Sequence, residues 1–200
     1  MKFTKKLLGL FLFSIALLVS SCVSKKTYTD QVQQTDAAVQ TVNVYAALNQ
    51  QLTAALIGDQ AQIASNEIQI TELKDQLKVT LVNSIVFSEG GYEVNAAGKI
   101  ALAKIAPSLS KLSGQQIVVQ GFTDNESIGP VLAKKYATNL ELSSARADNV
   151  AEYLISKGVP SSIISGQGFG EQRPVAPNDS EANKAKNRRV EIIVKAYTQQ

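Results

Sequence analysis

The apolar positions of this chain change their spacing three times, and each change marks a different kind of element. Residues 7–19 are an apolar run interrupted only by Gly9 and Ser14. From residue 35 onward, alternating steps of three and four reach Thr35, Ala38, Val42, Tyr45, Asn49, Leu52, Leu56, Asp59, Ile63, Asn66, Ile70, Leu73 and Leu77, and nine of those thirteen are apolar. A seam with that step predicts a helical spacer over 35–78 able to form a coiled coil, with Asn49 and Asn66 as the seam polar residues that set register. The same stripe also suits an amphipathic helix folded back on its own domain, and the pattern leaves both open. Gly58-Asp59 is the weak point of the run. From residue 79 the pattern becomes shorter and β-branched. "VTLVNSIVF", "QQIVVQGF", "SSIISGQGFG" and "RRVEIIVKAY" read as strands. Between them lie two helices. One is capped by Asn95, with Ile100, Leu102, Ile105, Leu109 and Leu112 inward. The other covers 143–158, with Ala147, Val150, Ala151 and Leu154 inward and Gly158 as its stop. Strands separated by helices predict a small sheet with helices on one face.

Charge narrows the function. The formal net charge of +3 would suit a polyanion-binding protein, but Lys2, Lys5 and Lys6 carry all of it; beyond them stand 17 basic and 17 acidic residues. No overall field remains to steer the chain to nucleic acid. The run Lys184, Lys186, Arg188, Arg189 is flanked by Glu181 and Glu191 and lacks interleaved aromatics for base stacking. With no histidine in the chain, imidazole metal sites and His-based triads are excluded.

The first 21 residues have a basic start, the apolar run and two small residues before Cys22, the form of a secretory signal. Thirteen or so apolar residues are too few to span about 30 Å of hydrocarbon. "VSSC" resembles the lipobox of bacterial lipoproteins, which implies that Cys22 is lipidated and becomes the new N-terminus. Several acyl chains, at about 0.8 kcal/mol per buried CH₂, would make that attachment permanent. Val23, in place of an aspartate, favours the outer membrane. Residues 22–34 then read as a lipidated start and flexible tether.

Candidate chemistry begins at "GFTDN", where a strand ends on Asp124, and continues in "NLELSSARADNV", where the next long helix carries Arg146. Such a pair is either a structural ion pair or a clamp for a ligand that is itself both positive and negative. An acceptor for ammonium and a planar guanidinium fork for carboxylate are what a zwitterion requires.

"GFTDN", "NLELSSARADNVAEYLISKGV", "GQGFGEQRPV" and "NRRVEIIV" stand in the order and rough spacing of the OmpA-like C-terminal domain. This is the peptidoglycan-binding module shared by OmpA, the peptidoglycan-associated lipoprotein and MotB, and the spacing resembles its MotB-like branch most. The resemblance covers 79–197 and implies an α+β, βαβαββ two-layer sandwich. It implies a ligand, the diaminopimelate of the peptidoglycan stem, held by Asp124 and Arg146. It also implies contacts from Asn139, a pocket wall at Leu142 and Phe87, backbone donors near Thr123 and Asn125, and closure by Arg189 from the last strand. Ser88 stands where much of the family has an acid, with Glu89 next, and residues 126–138 are longer than the matching segment of OmpA. The resulting expectation is an outer-membrane lipoprotein facing the periplasm that tethers the membrane to peptidoglycan. It needs no cofactor or metal, catalyses nothing, and can associate with its own copies through the spacer. An assembly adaptor acting through the spacer is the alternative.

Overall fold

The computed structural model describes residues 25–56, 68–73 and 75–196; the leader and Cys22 lie outside them. Helix α1 (Lys25–Ala55) opens the described chain, so residues 25–34, expected as part of a flexible tether, are helical instead. Met1–Gln40 and Thr41–Gln200 are two compact units. In the first, α1 is polar, with Val32 and Val39 exposed. In the second, Tyr45, Leu48, Leu52 and Leu56 are buried in the hydrophobic core. Their steps of three and four put them on one helical face.

Residues 35–78 are not the continuous helical spacer that the heptad pattern predicts. Strands β1 (Ile68–Leu73) and β2 (Gln76–Val82) pair antiparallel across residues assigned to it, Ile70 facing Val79 and Leu73 facing Gln76. Ile70 and Leu77 satisfy a heptad, but Ile68 and Ile70, then Leu77, Val79 and Leu81, also alternate with period two, and sheet pairing buries that set. Asn49, predicted in a coiled-coil seam, instead donates to Glu72 Oε2 at 3.2 Å.

After β2 the chain makes a helical turn, α2 (Asn83–Val86), where the sequence predicted continued strand, because Ile85 and Val86 turn into the core. Then follow α3 (Ala96–Leu109), β3 (Gln115–Phe122), α4 (Asn139–Ser156), β4 (Ile164–Gly168), α5 (Glu181–Asn187) and β5 (Arg189–Ala196). The five-stranded sheet has the order β1-β2-β5-β3-β4, antiparallel except for β3 with β4. From β2 onward this is the expected βαβαββ arrangement. Leu77, Val79, Leu81, Ile117, Val119, Val190, Ile192 and Val194 share one core with the helices, as their alternation requires.

Asn95 caps α3, its Oδ1 accepting from Gly98 N–H at 2.7 Å. Ile100, predicted inward, is 60% exposed. A Cβ on Gly98 would lie 2.7 Å from the Val86 carbonyl, so that face seats on α2 and buries Ala101, Leu102 and Ile105 instead. On α4 the four predicted inward residues are all buried. It lies very close to the sheet: a Cβ on Gly121 of β3 would fall 2.1 Å from the Ser143 carbonyl oxygen.

Candidate functional site

The tip of β3 leads straight into Thr123 and Asp124, both buried. Thr123 N–H donates to Gly170 O at 2.8 Å, and its hydroxyl to Asp124 O. Asp124 Oδ1 accepts from Glu126 N–H at 3.1 Å, a turn closed by an acidic side chain. Its Oδ2 lies 2.6 Å from Arg188 Nη1. Arg188 sits between α5 and β5 and also reaches Glu181 Oε1 at 2.8 Å. Ser180 caps α5 by accepting from Asn183 N–H, which fixes Glu181 in its first turn.

Arg146 comes from the second turn of α4 and is 7% exposed. Its Nε and Nη2 both donate to Gly91 O, at 3.0 and 2.8 Å, and its guanidinium carbon is 5.4 Å from the centre of the Phe87 ring. Burial pulls its pKa down to about 10, against the pull of Asp124 and with the push of Arg188. It therefore stays charged at neutral pH. Burial also disfavours the charge of Arg188, but its bonds to Asp124 and Glu181 outweigh that and raise its pKa.

Both arginines face an open cavity of about 600 Å³, lined also by Asn83, Ser84, Phe87, Ser88, Glu89, Gly90, Asn95 and Glu181. Asn83 Oδ1 is buried in this wall with no hydrogen-bond partner among the described residues. Two guanidiniums with acids around them make a hollow that favours an anionic group accompanied by a cation. Because Gly91 O takes the Nε side of Arg146, its Nη1 edge, bonded to nothing among the described residues, is the side left to receive a carboxylate.

The predicted residues distribute unevenly around this cleft. Arg146 and Phe87 line it. Asp124 stands behind Arg188 and is paired with it, so acid and base do not neutralise one another across the hollow. The Thr123 N–H is committed to Gly170, while Asn125 is exposed. Leu142 is buried on α4. Asn139 Nδ2 ties Glu126 O (2.9 Å) to Glu171 Oε2 (3.3 Å), beside a separate hollow of about 310 Å³ next to Phe169. Thr138, accepting from Glu141 N–H, is the cap of α4.

Arg189 is corrected: it does not close the cleft. Its Nε bonds Glu191 Oε1 at 2.7 Å and its guanidinium lies 3.7 Å over the Phe122 ring. Val190, Ile192 and Val194 face the helices, so Arg189 and Glu191 must face the opposite side of β5. Its neighbour Arg188, before the strand begins, is the arginine at the cleft. That parity was readable in the sequence; the Asp124–Arg188 pair, between residues 64 apart, was not. Arg189→Met is expected to lower unfolding free energy by about 2 kcal/mol in urea titration, because Lys78, 3.6 Å away, still partners Glu191. Ligand binding at the cleft should not change.

Residues 86–188 match the sequence profile of the OmpA family. The chain belongs to the OmpA family. "Probable lipoprotein YiaD" of Escherichia coli K12 is 33% identical over 127 residues, 64% of this chain and 55% of that protein. "Peptidoglycan-binding protein ArfA" of Mycobacterium tuberculosis is 31% identical over 123 residues, 62% of this chain and 36% of that protein. The chain thus spans about half or less of these curated relatives. Among solved structures, the cell wall anchor of the T6SS from Pseudomonas aeruginosa superposes with a TM-score of 0.63 at 31% identity, covering 73% of this chain and 97% of that one. The OmpA-family match takes in the cleft-lining residues from Phe87 through Arg188 and leaves out Asn83 and Ser84.

Proposed function

We propose that this OmpA-family domain grips peptidoglycan without covalent chemistry, holding the free zwitterionic end of diaminopimelate in the stem peptide. Arg146 and Arg188 receive the carboxylate, and Glu181, which lines the cleft beside Arg188, receives the ammonium, while Asp124 behind Arg188 holds that guanidinium in place. The observation that carries this reading is Arg146: a buried cation at a cleft wall, bonded to a carbonyl and to no carboxylate among the described residues, with one donor edge open. A buried charge without a counter-ion is costly unless a ligand supplies one. The relative named for peptidoglycan binding and the neighbour named as a cell wall anchor support peptidoglycan as the partner.

In this reading Cys22 carries the lipid, α1 leads from the anchor to the domain, and the protein ties the outer membrane to the wall from its periplasmic side. The full chain in detergent is expected to sediment with purified sacculi, and millimolar meso-diaminopimelate to release it. Retention that free diaminopimelate leaves untouched would sink the assignment of this ligand.

A further inference from the structure

The segment 126–138 has no part in the reading above, yet it is firmly held. Glu126 pairs with Lys184, Asn139 bonds the Glu126 carbonyl, and Leu132 is buried in a short 3₁₀ turn. What it presents at its far end is a basic and aromatic group. Lys135 is exposed, with its Nζ 3.8 Å above the centre of the Tyr92 ring and 5.5 Å from that of Tyr136. It donates to the Tyr92 hydroxyl, and the two rings meet edge to face at 5.3 Å. Tyr92 directly follows Gly91, the carbonyl that holds Arg146, and the Tyr136 phenol is within electrostatic reach of the same guanidinium. The insertion therefore returns to the cleft at the side where Arg146 sits.

Lysine on a tyrosine face is a common cation–π packing pair, and packing alone would leave Lys135 with no role in binding. Two features argue for more. Both rings hold the ammonium in one place while leaving it in water, and no acid among the described residues is bonded to it. A fixed, unneutralised cation beside a zwitterion site suits a ligand with a second carboxylate. A peptidoglycan stem can supply one on either side of diaminopimelate: the α-carboxylate of a γ-linked glutamate before it, or the terminal carboxylate of an alanine after it.

We propose that Lys135, positioned by Tyr92 and Tyr136, forms a second subsite that reads a stem-peptide carboxylate beyond the gripped diaminopimelate. The subsite rests on the stem-peptide reading of the main cleft. It converts the cleft from a site for one amino acid into one that senses whether the adjoining residue is an acid or its amide.

The test is calorimetric titration of the full chain in detergent with meso-diaminopimelate, γ-D-glutamyl-diaminopimelate and its glutamine-type amide, and diaminopimelyl-D-alanine and its C-terminal amide. Wild type should bind one of the two acids about three- to fivefold more tightly than the matching amide, the size of a solvent-exposed ion pair. The acid that shows the preference identifies the source. Lys135→Met should abolish the preference, Lys135→Arg should restore it, and both should bind free diaminopimelate like wild type. A merely structural lysine would leave the acid-to-amide ratio unmoved. The subsite is overturned if wild type shows no preference in either pair, or if the preference survives in Lys135→Met. If wild type fails to bind free diaminopimelate, the parent reading falls in its own arm of the experiment and takes the subsite with it.

Discussion

Arg146→Ala is expected to weaken binding to purified sacculi about 10- to 100-fold while leaving a folded domain. The magnitude is that of one charge-assisted contact, about 1.5–3 kcal/mol, lost with its ligand partner left unpaired. Removing the side chain also leaves Gly91 O without the two bonds it accepts now. Gly91 is half-buried at the cleft rim, so water can replace them at small cost. Arg146→Lys is the more informative variant. An ammonium has the charge but not the fork, so it cannot hold Gly91 O and present a flat pair of donors together. It should recover little of the lost affinity. Recovery to near wild type would mean that a point charge is enough and that the geometry at Nη1 is irrelevant; unaltered sedimentation of Arg146→Ala would remove the cleft from the mechanism altogether. Asp124 calls for a different expectation. Being 6% exposed and bonded to Arg188, it cannot be deleted without leaving Arg188 held by Glu181 alone, so Asp124→Ala tests both residues at once.

The parts of this fold that were legible in the sequence are those with short-range periodicity. Ala147, Val150, Ala151 and Leu154 sit one helical turn apart and all face inward. Val190, Ile192 and Val194 alternate on β5 and lie on the core. Residues 68–77 differ from the helical expectation because Ile70 and Leu77 fit a seven-residue and a two-residue repeat alike, and only strand pairing, of β1 with β2 and of β2 with β5, decides between them. Arg146 was accessible because it sits within a long recognisable helix motif. Arg188 was obscured by Arg189 beside it, although the parity of the strand separates them. The Gly91 carbonyl that holds Arg146 had no signal at all, since a backbone acceptor 55 residues away leaves no mark on side-chain pattern. Local rules therefore found the elements and one pole of the site. The bonds that link the poles are long-range and had to be seen.

Gly121→Ala is expected to destabilise the domain by about 3 kcal/mol or more, the upper range for forcing extra volume into a packed interior. The added Cβ would lie 2.1 Å from the Ser143 carbonyl oxygen and 3.0 Å from its carbon. Those are backbone atoms in α4 and cannot rotate aside, so the helix itself must lift from β3. Gly166→Ala should cost less, because its nearest obstacle, at 2.1 Å, is an Asp148 side-chain oxygen that can swing away. Gly129→Ala meets nothing within 4 Å and should change stability by about 0.5 kcal/mol at most. Urea titration of the three variants tests the ranking, and equal midpoints for Gly121→Ala and Gly129→Ala would refute it. The consequence reaches the cleft, because Arg146 stands three residues beyond Ser143 on the same helix. Raising α4 pulls the guanidinium from Gly91 O, and where Gly121→Ala remains folded, its affinity for sacculi should fall along with its stability. The close seat of α4 on Gly121 of β3 and on Gly166 and Gly168 of β4, where a Cβ at Gly168 would fall 2.4 Å from the Ser144 nitrogen, is thus what places the cation at the cleft wall. Stability and binding share that contact.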